Sequence, residues 1–127
     1  VSSQKQALFS AGERIALIEK CLKFLKNVHV ETFDGLTTDY MKKYKIQVLV
    51  RGLRQVEDFE YEKSMAQYNA SLDSDSDTVM LYANPSLAFI SSRGVKEVAR
   101  HSPTEFELGK FVPAPVIKPL LKKMKGL

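Results

Sequence analysis

Residues 48–54, Val-Leu-Val-Arg-Gly-Leu-Arg, decide the fold of this chain. A short run rich in β-branched residues is typical of a strand that is buried on both faces of a parallel sheet. The run ends at Gly52, which lies between Arg51 and Arg54. Open parallel sheets bind ligands at the carboxyl ends of their strands, and guanidinium groups donate paired hydrogen bonds to phosphate oxygens. The stretch therefore predicts a strand end that binds phosphorylated molecules.

Outward from this stretch, helical and extended patterns alternate. Apolar spacing and cap residues predict a helix from Ser10 to about residue 26, a short one ending near residue 43, and further helices over 56–71, from Ser91 or Ser92 to about 101, and from 114 onward. Period-two or β-branched runs predict strands over 28–33, 46–50 and 78–82. This alternation is typical of an α/β fold, a Rossmann-like parallel sheet with helices on both faces. We expect a single domain over residues 1–127.

Composition narrows the possible classes of protein. The chain has 127 residues, of which 44% are hydrophobic, and its formal net charge is +4. No apolar run is long enough to span a bilayer, so we expect no membrane partner. Cys21 is the single cysteine, which suits a reducing cytoplasm. Two histidines and one cysteine, widely separated, do not supply a zinc site, and the alternating aspartates of residues 73–77 lack the glycine and glutamate of a calcium loop.

Two longer motifs indicate a family. Residues 51–54 are followed by Asp-Phe-Glu-Tyr-Glu at 58–62, and Phe-Ile-Ser-Ser at 89–92 is followed by Val-Lys-Glu-Val-Ala-Arg-His at 95–101. In this order and spacing the motifs resemble those of the bacterial phosphopantetheine adenylyltransferases. The entry into the first helix, residues 9–14, matches as well, so that the resemblance runs from residue 2 to about residue 101.

The resemblance implies an enzyme with the nucleotidyltransferase fold. Its members transfer AMP from ATP to 4′-phosphopantetheine, which yields dephospho-coenzyme A and pyrophosphate in coenzyme A biosynthesis. The family uses Mg²⁺, assembles as a homohexamer and works in the cytoplasm. We accordingly expect ATP, 4′-phosphopantetheine and dephospho-coenzyme A or coenzyme A as ligands, and no nucleic acid, since no motif of a nucleic-acid-binding module occurs.

The resemblance also implies roles for particular residues. Lys5 and Arg51 would hold the phosphate of phosphopantetheine, and Thr37 would contact the pantetheine arm through its backbone. The residues that would line the ATP site are Gly52, Leu53, Arg54, Glu62, Leu87, Ala88, Phe89, Ile90, Ser91, Ser92 and Arg93. For Glu62 two other roles stay open, which are the positioning of the arginines and a share in holding Mg²⁺. No residue is expected as a ligand of a resident metal.

The chain departs from the family at its start. The family's opening strand, its Gly-Thr-Phe-Asp-Pro turn and its Thr-x-Gly-His motif have no counterpart in it, so no catalytic residue is assigned and the domain is expected to be N-terminally incomplete. The difference amounts to roughly 35 to 40 residues, about one strand-helix-strand unit. Either the sequence begins late, or the histidine that stabilises the transition state is absent.

Other interpretations of the same residues stay open. Arg51 and Arg54 could be surface arginines that pair with Asp58 and Glu62 on the following helix. The function could be that of a non-catalytic module that binds a nucleotide or coenzyme A, or that of a related nucleotidyltransferase with another acceptor.

Overall fold

The computed structural model describes residues 7–101 and 103–126. Its helices are α1 (Ala11–Leu22), α2 (Thr37–Tyr44), α3 (Val56–Leu72), α4 (Pro85–Ala88), α5 (Ser92–Arg100), α6 (Glu105–Leu108) and α7 (Ala114–Lys125). Its strands are β1 (Val48–Leu53) and β2 (Asp77–Tyr82). The described residues form two compact units, one made of those up to Thr32 and from Ile90 onward, the other of Phe33–Phe89.

The unit Phe33–Phe89 contains a parallel sheet. β1 and β2 pair in register from Val48 opposite Asp77 to Leu53 opposite Tyr82. Parallel neighbours need a crossover connection, and α3 supplies it by packing against both strands. Leu53 is only 1% exposed, whereas Val48 and Val50 are 47% and 58% exposed, so the expectation of a strand buried on both faces was wrong. The predicted α/β class, with a parallel sheet flanked by helices, is confirmed.

The other unit is helical. Its core consists of five buried residues from α5, α6 and α7, which are Ala99, Leu108, Ile117, Leu120 and Met124. The three from α7 recur at helical spacing and give that helix one apolar face. The helix α7 begins at Ala114 and continues past Pro119, which lies inside it.

Three of the described helices, α1, α3 and α6, begin with reciprocal side-chain caps. Ser10 and Glu13 form the capping box that the sequence predicts for α1. Glu13 also accepts a hydrogen bond from Lys123 Nζ at 2.9 Å, which joins α1 to α7. Hydrogen bonding to Lys123 is the main reason why the pKa of Glu13 lies below its usual value of 4.5.

Three expected element bounds were wrong. The strand expected over residues 46–50 runs from Val48 to Leu53, so Arg51 and Gly52 lie inside the strand and not beyond its end. Residues 28–33 carry no regular secondary structure, although their alternation is typical of a strand. A strand requires a hydrogen-bonded neighbour, and within the described residues the sheet contains β1 and β2 alone. α1 ends at Leu22 rather than near residue 26, and Leu25, the next apolar residue of its pattern, is 41% exposed. Without burial, periodicity does not extend a helix.

Two short helices were not expected. Residues 84–86 indicated a turn, but α4 begins there with Pro85 in its first turn, where a missing N–H costs nothing. α6 follows the cap residue Thr104. None of the helices in residues 7–101 and 103–126 combines the length with the apolar character that a membrane crossing demands.

Leu108→Ala should lower the free energy of unfolding by about 2–5 kcal/mol, because it leaves a cavity at a fully buried position. Chemical denaturation followed by circular dichroism measures the loss. Phe106→Ala is the matched control in the same helix, since Phe106 is 78% exposed. Equal losses for the two variants would contradict the assigned core.

Glu13→Gln should lower the melting temperature at pH 7 but not at strongly acidic pH. A lowered pKa means that the carboxylate stabilises the fold above its unfolded value near 4.5 and loses that contribution as the pH falls through the lower folded value. Melting curves of wild type and variant between pH 7 and pH 3 test this. Lys123→Gln removes the same pair from its other end and should show the same convergence. A deficit that stays constant down to pH 3 would refute the role of the pair.

Candidate functional site

Arg51 lies in β1 on the face that packs against α3. Residues two apart in a strand share a face, so Arg51 lies on the same side of the sheet as the buried Leu53. Its guanidinium group meets Glu62 of α3 in a bidentate pair. Nε of Arg51 is 2.7 Å from Oε2 of Glu62, and Nη2 is 2.5 Å from Oε1. The strand and the crossover helix are therefore joined at the position where the sequence predicts a phosphate ligand.

The pair holds the arginine without covering it. The side chain of Glu62 is 11% exposed, whereas that of Arg51 is 43% exposed. The hydrogen bonds that Arg51 donates to the Glu62 carboxylate are the main cause that raises the pKa of Arg51 above its usual value. No hydrogen bond joins Nη1 of Arg51 to any other residue in the described part of the chain. A fixed cation thus presents free N–H groups to solvent.

Gly52 follows Arg51 in β1 and leaves space on the opposite face of the sheet, because successive residues of a strand point to opposite faces. A Cβ atom built on Gly52 would meet no atom within 4 Å among the described residues. The packing within the described chain therefore does not require glycine here, and a glycine within a strand often marks a place where a ligand or another backbone comes close. Leu53 is buried, so contact with a ligand at that position would come from its backbone.

Arg54 lies where β1 ends and α3 begins. Its backbone N donates to Oδ2 of Asp58 at 3.0 Å, and the N of Gln55 donates to the same oxygen at 3.3 Å. Nε of Arg54 lies 3.5 Å from that oxygen as well. The hydrogen bond from the Arg54 backbone is the main cause that lowers the pKa of Asp58. Asp58 thereby fixes the turn that places Arg54.

The sequence left open that the two arginines pair with acids of the following helix, and both pairs form. Arg51 pairs with Glu62, and Arg54 pairs with Asp58. They do not exclude ligand binding, because both arginine side chains stay more than 40% exposed. Sequence reasoning missed the capping role of Asp58. The sequence did contain a signal for this role, because Gln55 and Asp58 have the three-residue spacing of a capping box.

The second predicted segment divides between the two units. Leu87 and Ala88 belong to α4 and Phe89 ends it, all within the unit Phe33–Phe89. Residues 90–93 belong to the other unit and lead into α5. Ser91 caps this helix, since its Oγ accepts from the N of Gly94 at 3.1 Å.

The start of α5 has the form of an anion-binding surface. Ser92 and Arg93 are exposed in its first turn, where backbone N–H groups lack partners within the helix. The structure therefore assigns the cap to Ser91 and leaves the hydroxyl group of Ser92 outside that cap.

The remaining predicted residues are placed as follows. Thr37 is the first residue of α2, half-buried, and lies in the same unit as Arg51. Lys5 lies outside the described residues. The structure thus brings together Arg51 and Glu62 by direct contact, with Gly52 and Arg54 next to them in the chain. Over residues 7–101 and 103–126 no three side chains of His, Cys, Asp or Glu converge as a metal site would need.

Comparisons with known proteins identify the family of this chain. A family model described as cytidylyltransferase-like matches residues 1–98. A phosphopantetheine adenylyltransferase of Bdellovibrio bacteriovorus is 60% identical over 98 residues, which are 77% of this chain and 61% of that protein. The chain thus spans less than two thirds of this relative's length.

Further relatives match over more of the chain. The phosphopantetheine adenylyltransferase of Clostridium perfringens strain SM101 is 39% identical over all 127 residues and 76% of its own length. That of Thermosynechococcus vestitus is 46% identical over 92% of this chain and 68% of its own. These matches show that the chain belongs to the cytidylyltransferase-like family and, within it, to the phosphopantetheine adenylyltransferases.

Proposed function

We propose that this chain binds 4′-phosphopantetheine and ATP for the transfer of AMP between them, which forms dephospho-coenzyme A and pyrophosphate. The observation that supports this most directly is the guanidinium group of Arg51. It is held by Glu62 from inside the fold and half exposed to solvent. Family membership supplies the identity of the two substrates.

The residues fit the electrostatic demands of this reaction. An oxygen of the acceptor phosphate attacks the α-phosphorus of ATP, and the protein has to align two polyanions that repel each other. Arg51 would bind the acceptor phosphate, and Arg54, three residues further along the chain and just past the end of β1, would contact the nucleotide. Fixed cations cost little reorganisation while charge develops on the oxygens.

The nucleotide contacts are proposed to come from two places. Within the unit Phe33–Phe89, Gly52, Leu53 and Arg54 would provide backbone and charge beside β1, and residues 87–89 would provide the segment at α4. The nucleotide contacts of residues 90–93, which belong to the other unit, stay predictions from the family resemblance. N–H groups at a helix start bind phosphate well. Thr37 would contact the pantetheine arm from the start of α2.

Magnesium fits this chain as a companion of ATP. Mg²⁺ in nucleotide enzymes is usually held by substrate phosphates with one or two carboxylates. Two carboxylates of the site, Asp58 and Glu62, already accept hydrogen bonds from Arg54 and Arg51 at the junction between β1 and α3. Bound in that way, the ion would neutralise phosphate charge. Homohexameric assembly and a cytoplasmic location stay predictions from the family resemblance.

Arg51→Gln should weaken binding of 4′-phosphopantetheine by about 10- to 100-fold, since a charge-assisted pair to phosphate is lost. Glutamine is chosen because its amide can still donate to Glu62, so the nearly buried carboxylate keeps a partner. Isothermal titration calorimetry of the chain measures the affinity. Arg100→Ala, which removes an exposed arginine paired with Glu97, is the matched control. Unchanged affinity in Arg51→Gln would contradict the proposed acceptor site.

Ser92→Ala should weaken ATP binding about threefold to tenfold, the effect of one hydrogen bond, and change phosphopantetheine binding less. Titration with each ligand separately gives both affinities. Ser71→Ala is the control, because the hydroxyl of Ser71 donates within α3 to the carbonyl of Gln67. Equal losses for the two ligands would argue against the placement of Ser92 beside the nucleotide.

A further inference from the structure

We propose that Lys123 of α7 is a positioning residue for the binding of 4′-phosphopantetheine. It holds the entry segment, residues 7–10, which leads into α1 and follows directly on the part of the chain that contains Lys5. This inference rests on the proposed function, in which Lys5 would hold the acceptor phosphate. It gives a task to the last helix of the chain, to which the sequence motifs assign none.

The first argument is the carboxylate of Glu13, which joins α7 to the start of α1. Its Oε2 accepts a hydrogen bond from the backbone N of Ser10 at 2.8 Å, and its Oε1 lies 2.9 Å from Nζ of Lys123. Oγ of Ser10 accepts in turn from the N of Glu13 at 3.2 Å. Each carboxylate oxygen therefore has its own partner, and Lys123 is connected through Glu13 to the backbone of the entry segment.

The second argument is a contact on the other side of the cap residue. Nζ of Lys123 lies 5.9 Å from the centroid of the Phe9 ring, which is within the range of a cation–π interaction. Leu8 and Phe9 also pack against the buried cluster formed by α5, α6 and α7. One ammonium group thus contacts residues on both sides of Ser10, so that α7 fixes the direction in which the chain enters α1.

The third argument is the support of Lys123 itself. Its neighbours in α7 include Leu120 and Met124, which are 3% and 9% exposed and belong to the core. The helix packs against both α1 and α5. An exposed ion pair by itself adds little stability, about 0–1 kcal/mol. This pair joins two helices that are already packed, so its main effect is on the position of the entry segment.

The position of Phe9 matters for Lys5 because of the short distance along the chain. Lys5 lies four positions before Phe9. An extended chain covers at most about 3.6 Å per residue, so a fixed Phe9 confines the Cα atom of Lys5 to within about 14 Å of its own. Ordering a segment at the moment of binding costs conformational entropy. An anchored entry segment reduces that cost for a ligand that Lys5 contacts.

The test uses Lys123→Met, which keeps an unbranched apolar side chain but removes the charge. We expect affinity for 4′-phosphopantetheine to fall about threefold to tenfold and affinity for ATP to change less than about twofold. Lys123→Arg keeps both a donor to Glu13 and a cation above Phe9, so it should retain most of the affinity. Calorimetric titration of the chain with each ligand measures both affinities.

The matched control is Lys118→Met in the same helix. Lys118 pairs with Glu105 of α6 at 3.8 Å, and both side chains are more than half exposed. The variant therefore removes the same charge and another pair between two helices, but one that lies away from the entry segment in the chain. It should change neither affinity.

A double-mutant cycle with Lys5→Ala separates positioning from general damage to the fold. In the Lys5→Ala background, Lys123→Met should cause no further loss of phosphopantetheine affinity, because Lys123 acts through Lys5. A purely structural defect would add its loss in both backgrounds. Melting temperatures of all four proteins show whether each is folded at the temperature of the titration.

Three results would overturn the inference. Equal losses of affinity for ATP and for phosphopantetheine in Lys123→Met would make Lys123 a general support of the fold. Unchanged affinities in that variant would remove any role for it in binding. Unchanged phosphopantetheine affinity in Lys5→Ala would leave no ligand residue for Lys123 to position. In all three cases the proposed function stands as long as the wild-type chain binds both ligands, whereas a wild-type chain that binds neither refutes the proposed function as well.

Discussion

The paired hydrogen bonds between Arg51 and Glu62 join the strand β1 to the crossover helix α3, and the candidate site depends on that junction. A parallel pair of strands needs such a crossover, so a helix has to lie against the sheet beside the end of β1. The fold uses this proximity to hold a cation half exposed. An arginine at the same place without Glu62 would keep its charge but would lose its fixed orientation.

A single carboxylate, that of Asp58, also fixes the turn between β1 and α3. Asp58 accepts hydrogen bonds from the backbones of Arg54 and Gln55, which satisfies donors that a helix start otherwise leaves open. The lowered pKa of Asp58 reflects those bonds. Asp58 thus caps α3 and fixes the backbone of Arg54. The site therefore depends on an acidic residue in the first turn of α3.

The sequence predicted the elements that carry strong local signals. The capping box at Ser10, the β-branched run before Arg51 and the cap at Ser91 all appear in the structure. The strand expected over residues 28–33 does not appear. Alternating apolar and polar residues show that a segment suits a sheet, but they do not show that a neighbouring strand is present to pair with it. The extent of α1 failed for a related reason, since its last apolar residues lack a packing partner.

By itself, the sequence determined the α/β class, the family and the identities of the candidate ligand residues, since these depend on patterns and motifs along the chain. Only the tertiary structure decided which acid meets which arginine. Glu62 and Arg51 are eleven positions apart and come together because α3 packs back onto β1. Exposure likewise depends on packing, so that Arg51 stays open to solvent while Leu53, two residues away, is buried in the core.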